Sequence, residues 1–426
     1  MVKINGNQKK RLLIYAHYYF PDVASTGQIL KELAEGLLCE FDITVICVVP
    51  SYTGKVSSEY KTKLFYEEEI NGVKIIRVRV PEFSKNNKIS RIKNIIAYFF
   101  GAMAATFKVG KIDYVYSISQ PPILGGLLGV WGKWVKFSKY IYNIQDFNPE
   151  QTIAVEYSKN NNILKIMMYL DKFSCKRADK VIVVGRDMVG TLQDRFKHKN
   201  VPKHVFINNW IDESEIYPLS DDNEKVLRFK KKYGLENKYI VMYSGNIGLY
   251  YDLENLLKKI GEFPKGTKAI DGREVIFAFV GDGSVKEKLV EFTKKTNMEN
   301  VIFIPYQDKS DLIYSLNASD CQLCISAAGI KGVSVPSKLY GIMAAGKPVL
   351  GVLEEESEAC LLINEIGNGL IGNPNDYNTF EKNLKKFFNM STKEHKVMGN
   401  SGRKYLEKNL TKNVSVSKYI KEINCS

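Results

Sequence analysis

At 426 residues the chain is long for one hydrophobic core and suits two domains. Hydrophobic residues make up 45% and charged residues 25%, which excludes a disordered chain. The net charge of +14 narrows the partners to nucleic acid, an anionic membrane surface or acidic small ligands, without choosing among them.

In chain order, the predicted elements alternate. Leu12–Ala16 is a strand, and Ser25 to Leu38 is a helix with Leu30, Leu33 and Leu37 on one face. Strands follow at Ile43–Val49, Lys74–Val80, Tyr114–Ile118, Lys139–Ile144, Lys180–Val184 and His204–Ile207, with helical spacing between them. A polar, turn-rich stretch at 208–222 marks a boundary, and the pattern restarts. Tyr239–Tyr243 is a strand, then a glycine turn and a helix over Leu253–Ile260. Val275–Val280 ends in Gly281-Asp-Gly283 before a helix from Val285. Val301–Ile304, Cys321–Ile325 and Pro348–Val352 continue the series, and the segment after Ser401 reads as helical. This is the pattern of α/β parallel sheets covered on both faces. The expected domains are 1–208 and 209–404, with a terminal helix at 405–426 crossing back onto the first half. Each sheet turns the C-terminal ends of its strands to a shared cleft.

Seven cysteines without regular spacing point to a reducing compartment. Cys321 and Cys324 form a CxxC, but three residues apart on a strand they point to opposite faces, as core cysteines do. The polar N-terminus leads into a strand and no apolar run reaches the ~20 residues of a spanning helix, so a cytoplasmic location is expected.

The chemistry is expected in loops after strands. His17 through Gly27 is one such loop, and Tyr243-Ser-Gly245-Asn246-Ile-Gly248 is another. Gly281-Asp-Gly283 is a third, but lacks the third glycine of a dinucleotide fingerprint. The fourth, "GVSVPSKLYGIMAAGKPVL" from Gly332, opens a short helix with Pro336 and a Ser337 cap, and closes it at Gly346. Lys338 stands at that helix start and Lys331 close by, and a helix start already suits an anion. Converging on one cleft, these loops make a diphosphate site; solvated lysines are the plain alternative. Among acidic groups, Asp146 and Glu150 follow a strand into the same cleft, where carboxylates accept from sugar hydroxyls and Asp146 suits a base. Glu358 follows the strand after the lysine helix, although Glu354-Glu-Glu356 before it favours an exposed run. His17, one of four histidines, is either structural or part of the site.

From Phe83 to Ile112 there is no acidic residue, while Lys85, Lys88, Arg91, Lys93, Lys108 and Lys111 supply positive charge. Ile89, Ile92, Ile96, Phe99 and Met103 fall at helical spacing. Such a helix suits an anionic membrane surface, or else packs its stripe on its own sheet. Trp131, Lys133, Trp134 and Lys136 add interfacial character. No nucleic-acid module is recognisable.

Taken in order, "AHYYFPDVASTGQ", "NIQDFNPEQ", "NNWID", "YSGNIG", "FAFVGDG" and "VPSKLYGIMAAGKPVL" resemble family-4 glycosyltransferases of the two-Rossmann, GT-B type. The branch is similar to the L-fucosamine transferases of O-antigen and capsule synthesis. The resemblance spans nearly the whole chain. It implies a nucleotide-sugar donor, expected to be UDP-linked, in the C-terminal half and a sugar acceptor in the N-terminal half. It further implies retention of anomeric configuration and no metal or other cofactor; no DxD-like pair marks a metal site. The implied roles are catalysis for Asp146, Lys338 and Lys331. Donor binding falls to Gly27, Gly245, Asn246, Gly283, Ser337, Lys338 and Glu358, and acceptor binding to His17, Tyr18, Gln145 and Glu150. The acceptor is expected to be an undecaprenyl-diphosphate-linked glycan on the inner face of the plasma membrane. Departures are present: Val333 and Gly341 stand where many members carry two glutamates, and Asn246 and Tyr250-Tyr251 where they carry Arg and Lys. Gln145 replaces a histidine. The competing functions are a nucleotide-sugar epimerase on the same plan, and a non-catalytic subunit of a polysaccharide assembly complex.

Overall fold

The computed structural model describes residues 9–22, 25–84, 87–154, 160–248 and 251–426. Lys85 and Tyr250 lie outside them.

The first sheet contains β1 (Lys10–Tyr15), β2 (Phe41–Val48), β3 (Phe65–Ile70), β4 (Val73–Val78), β5 (Tyr114–Ile118), β6 (Lys139–Ile144), β7 (Lys180–Val183) and β8 (His204–Phe206). Their order is β3-β4-β2-β1-β5-β6-β7-β8, parallel except for the β3–β4 hairpin. The second sheet contains β9 (Lys238–Ser244), β10 (Glu274–Val280), β11 (Val301–Ile304), β12 (Cys321–Ile325), β13 (Val349–Val352) and β14 (Gly369–Gly372). Its order, β11-β10-β9-β12-β13-β14, is parallel throughout. Renumbered within the sheet this reads 3-2-1-4-5-6, the doubly wound order whose ligand crevice opens where the winding reverses. The reversal points are β1/β5 in one sheet and β9/β12 in the other. The two-sheet α/β architecture expected from the alternation is the one observed.

Two strands escape the periodicity. β3 carries Glu67-Glu-Glu69 and lies at the sheet edge, where one side is wet. β14 is four residues bounded by glycines. Leu30, Leu33 and Leu37 of the helix Ser25–Leu37 are all buried, as the spacing predicts. Cys321 and Cys324 of β12 pack into different cores on the two sides of the sheet, so the CxxC is a consequence of strand geometry.

The last helix, Lys412–Asn424, buries Val416, Tyr419 and Ile423 in the first sheet's core, beside the helix Ser25–Leu37. Tyr419 Oη accepts from Asn143 Nδ2 at 3.2 Å, and Lys180 Nζ donates to Glu422 at 2.8 Å. The first strand, β1, and the last helix therefore share one hydrophobic core.

Candidate active site between the two sheets

The segment before the lysine helix docks onto the first half. Asp146 and Ser334 form an antiparallel bridge, and Phe147 N–H donates to Val333 O at 2.9 Å. Gly332 N–H donates to Asp187 Oδ2 at 2.8 Å. Gly332 has φ +71, and a Cβ there would lie 2.4 Å from Thr191 Oγ1, so glycine is required by both backbone and space. Ser334 precedes Lys338 by four residues, at most about 14 Å of extended chain. Asp146 is thus tied to the segment that leads into Lys338.

On the C-terminal side, Lys338 is the first residue of the helix Lys338–Ala344. Its Nζ donates to Tyr243 Oη at 2.9 Å and lies 3.5 Å from the centre of the Tyr251 ring and 4.4 Å from that of Tyr243. Desolvation lowers its pKa to about 7. The two ring faces act in the opposite direction, because aromatic quadrupoles attract the cation. Tyr243 in turn donates to the carbonyl of Asn246 at 2.6 Å, fixing the loop after β9. Gly245 lies against this lysine, a built Cβ standing 3.6 Å from Lys338 Cε, and Gly245 and Asn246 are exposed. The loop after β10 stacks tightly behind: a Cβ at Gly281 would fall 2.0 Å from Gly245 O, and one at Gly283 2.2 Å from Ile247 O. Those glycines serve close backbone approach. Gly245 N–H is spent on Val280 O at 3.0 Å, which leaves a partly dehydrated ammonium beside the exposed Asn246, an arrangement suited to hold a diphosphate and to steady its charge as it leaves.

On the N-terminal side, His17, Tyr18 and Asp146 share a pocket of about 220 Å³ with Phe83, Arg91 and Gln151. Asp146 Oδ1 accepts from Gln151 Nε2 at 3.1 Å, and burial raises its carboxyl to about pKa 6. That value leaves it poised to exchange a proton near neutrality. His17 is buried, with its Nε2 unpaired among the described residues, and burial holds it neutral by lowering its pKa to about 3. Gly27 belongs to the helix Ser25–Leu37, whose start lies close to Tyr18; a Cβ on it would be 3.2 Å from Tyr18 O.

Several sequence-based expectations need correction. Ser337 has helical angles and makes no side-chain capping bond; it is exposed at the helix start. Lys331 directs its Nζ to Glu356 at 2.7 Å and its N–H to Glu354 at 2.8 Å, so its charge is matched outside the Lys338 cluster. Glu358 is not part of an exposed acidic run: it is 1% exposed, and its oxygens accept from Arg186 N and Nε at 2.9 and 2.8 Å and from Asn208 at 2.9 Å. It ties the two halves together. Glu150 is bonded to Arg195, which also holds Asp171, in a buried ionic cluster, which removes it from the acceptor pocket. Gln145 is buried in an amide network, its Nε2 2.5 Å from Asn143 Oδ1 and its Oε1 accepting from Asn209 at 2.7 Å.

Sequence reasoning missed Tyr243 and Tyr251 as the seat of Lys338, and Arg186 and Asn208 as partners of Glu358. Tyr251 was visible only as a substitute for an expected cation; the partners of Glu358 are distant in sequence and carry no local signal. Among the described residues no three His, Cys, Asp or Glu side chains converge as metal ligands.

Comparison with known proteins shows what the chain is similar to. Residues 226–405 match the model for glycosyl transferases group 1. The chain is 26% identical to the glycosyltransferase WbjE of Pseudomonas aeruginosa over 351 residues, covering 80% of this chain and 82% of that protein. It is 23% identical to the colanic acid biosynthesis glycosyl transferase WcaI of Escherichia coli K12 over 350 residues, 79% and 81% of the two chains. In fold it is similar to HepE of Anabaena in complex with UDP, with a TM-score of 0.67 at 14% identity over 98% of this chain and 100% of that one. WaaG, a glycosyltransferase of lipopolysaccharide biosynthesis, gives the same TM-score of 0.67 at 13% identity, over 97% and 100%. Residues 226–405 form a glycosyl transferases group 1 domain, and the chain is a glycosyltransferase on the two-sheet GT-B plan.

Proposed function

We propose that the protein moves a sugar, N-acetyl-L-fucosamine or another amino sugar, from a UDP-linked donor to an undecaprenyl-diphosphate-linked glycan in O-antigen or capsule synthesis. The reaction is retaining and metal-independent in this reading. Residues 209–404 hold the donor, residues 1–208 the acceptor, and 405–426 close onto the acceptor half. The observation that carries it is Lys338, seated on Tyr251 beside Gly245, four residues along from the Ser334 that bridges Asp146. Cleaving a sugar–diphosphate bond leaves negative charge on the departing group. Lys338 and the exposed loop at Asn246 would stabilise it, while Asp146 faces the sugar and acceptor hydroxyls. WcaI, named for colanic acid biosynthesis, and HepE, solved with UDP and glucose, support the polysaccharide and UDP parts of this reading.

The membrane part rests on the acceptor half. On the helix Lys88–Thr106, Ile89, Ile92, Ile96 and Phe100 are exposed, whereas Phe99 and Met103 pack on the core. Neighbouring helices expose Trp134, Ile163, Ile166 and Tyr169. Apolar side chains amid lysines suit the interface of an anionic bilayer. No described helix is long and apolar enough to cross a membrane. The test is thermal-shift binding of a nucleotide-sugar panel, followed by transfer from the binding donor to lipid-linked glycans on vesicles. Transfer to a lipid-linked product is expected; release of an altered free nucleotide sugar, or UDP bound away from Gly245 and Lys338, overturns the reading.

A further inference from the structure

The pocket holding Asp146 and His17 is also lined by Arg91, which belongs to the same helix as the exposed apolar stripe. Arg91 is exposed, and its guanidinium pairs with no carboxylate among the described residues. Among the described residues Asp146 is the one acidic side chain lining the pocket, and Arg91 makes no ion pair with it. Behind it, His17 Nε2 is buried without a partner among the described residues, and Tyr18 is close enough for the arginine to lower its pKa, although burial raises that pKa overall, to about 12. The next residue, Ile92, is 55% exposed, and Ile96 and Phe100 continue the stripe at helical spacing. A carboxylate, a guanidinium without a carboxylate partner among the described residues, and an apolar strip therefore follow one another from the cleft outward.

Resting on the proposed lipid-linked acceptor, we infer that Arg91 is a specificity residue that binds the acceptor's phosphate. The sugar would occupy the pocket between Arg91 and Asp146, and the hydrocarbon would run over Ile92, Ile96 and Phe100. A planar fork of donors fits phosphate oxygens in pairs, which an ammonium does not reproduce. The pocket falls below the about 300–1,000 Å³ of drug-sized ligand sites, which limits it to a small headgroup with the chain outside.

The test titrates farnesyl diphosphate, a soluble polyprenyl diphosphate, into wild-type protein, Arg91→Ala, Arg91→Lys and Lys338→Ala, and repeats the titration with farnesol. Arg91→Ala is expected to weaken farnesyl diphosphate by about ten- to hundredfold and farnesol by little, with Arg91→Lys between. Lys338→Ala should leave this binding unchanged, which separates it from the donor site. Ile92→Ser should weaken farnesyl diphosphate while sparing inorganic pyrophosphate. Equal binding of farnesyl diphosphate by wild type and Arg91→Ala overturns the inference, as does loss in Lys338→Ala alone. If Arg91→Ala instead loses only its attachment to anionic vesicles, the arginine meets membrane headgroups and the inference also fails. UDP-sugar binding, measured in the same variants, reports on the proposed function independently.

Discussion

Lys338 Nζ lies 3.5 Å from the centre of the Tyr251 ring and donates to Tyr243 Oη at 2.9 Å, so one cation is held by two aromatic residues from the other side of the reversal point. Among the described residues no carboxylate pairs with it. A lysine kept in this way retains its donors for an incoming anion, with its position set in advance.

The first prediction follows. Lys338→Ala should cost on the order of 3 kcal/mol in the transfer barrier, roughly a hundredfold in kcat, with an unchanged fold by circular dichroism. Tyr251→Leu removes the ring face while leaving the amine, and should lose about tenfold or less, the scale of a cation–π contact. Near-normal turnover of Lys338→Ala with its donor would remove the lysine from the reaction.

How far the sequence reveals this arrangement depends on distance along the chain. Lys338 was legible because Pro336, Gly346 and the strand after it mark a helix start locally. The parallel strands were legible because they are nearly continuous apolar runs, whereas β3, with three glutamates on a wet edge, was not. The partners of Glu358 and Glu150 were hidden for a common reason. A carboxylate's function is set by the cation opposite it, and Arg186 stands 172 positions from Glu358 and Arg195 45 positions from Glu150. Lys331 likewise looks like a site cation until Glu356 folds over it.

The pH dependence follows from two groups. Asp146 must lose its proton to accept one, and burial raises its pKa to about 6, so activity rises with pH up to that value. Lys338 must be charged to hold a diphosphate, and desolvation lowers its pKa to about 7, so activity falls above that value. A kcat/KM profile for the donor should therefore be bell-shaped, with limbs near those two values. Lys338→Arg should abolish the alkaline limb and Asp146→Asn most of the activity. A flat profile from pH 5 to 9 would exclude both assignments.

The cluster Arg195–Glu150–Asp171 predicts a stability effect without a binding effect. Arg195 is 2% exposed in its side chain and Asp171 4%, and Tyr142 also donates to Asp171 at 2.6 Å. Removing one partner leaves a buried charge unmatched, which typically costs about 3–5 kcal/mol. Arg195→Met should lower the denaturation midpoint accordingly. Glu150→Gln should destabilise less, because Glu150 is more exposed, and should leave the acceptor KM unchanged if the carboxylate is structural. A raised acceptor KM at unchanged stability would return Glu150 to the acceptor site.

The seam between the halves gives the last prediction. Glu358 receives three hydrogen bonds from the N-terminal half, two from Arg186 and one from Asn208, while its helix belongs to the second sheet's domain. Nearby, Gly332 donates to Asp187 and Asp146 bridges Ser334. These contacts set the distance between the donor loop and the acceptor pocket, so they act on transfer without touching either substrate. Glu358→Ala leaves the Arg186 guanidinium short of its buried acceptor and should loosen the seam while each sheet keeps its own core. The expected result is two thermal transitions where the wild type has one, with donor binding by thermal shift retained. Transfer should fall through kcat, because reacting groups held about an ångström out of place commonly lose on the order of a hundredfold. Glu358→Gln keeps the bond to Asn208 and should lie between. A single sharp transition together with full loss of donor binding in Glu358→Ala would instead place this carboxylate on the donor.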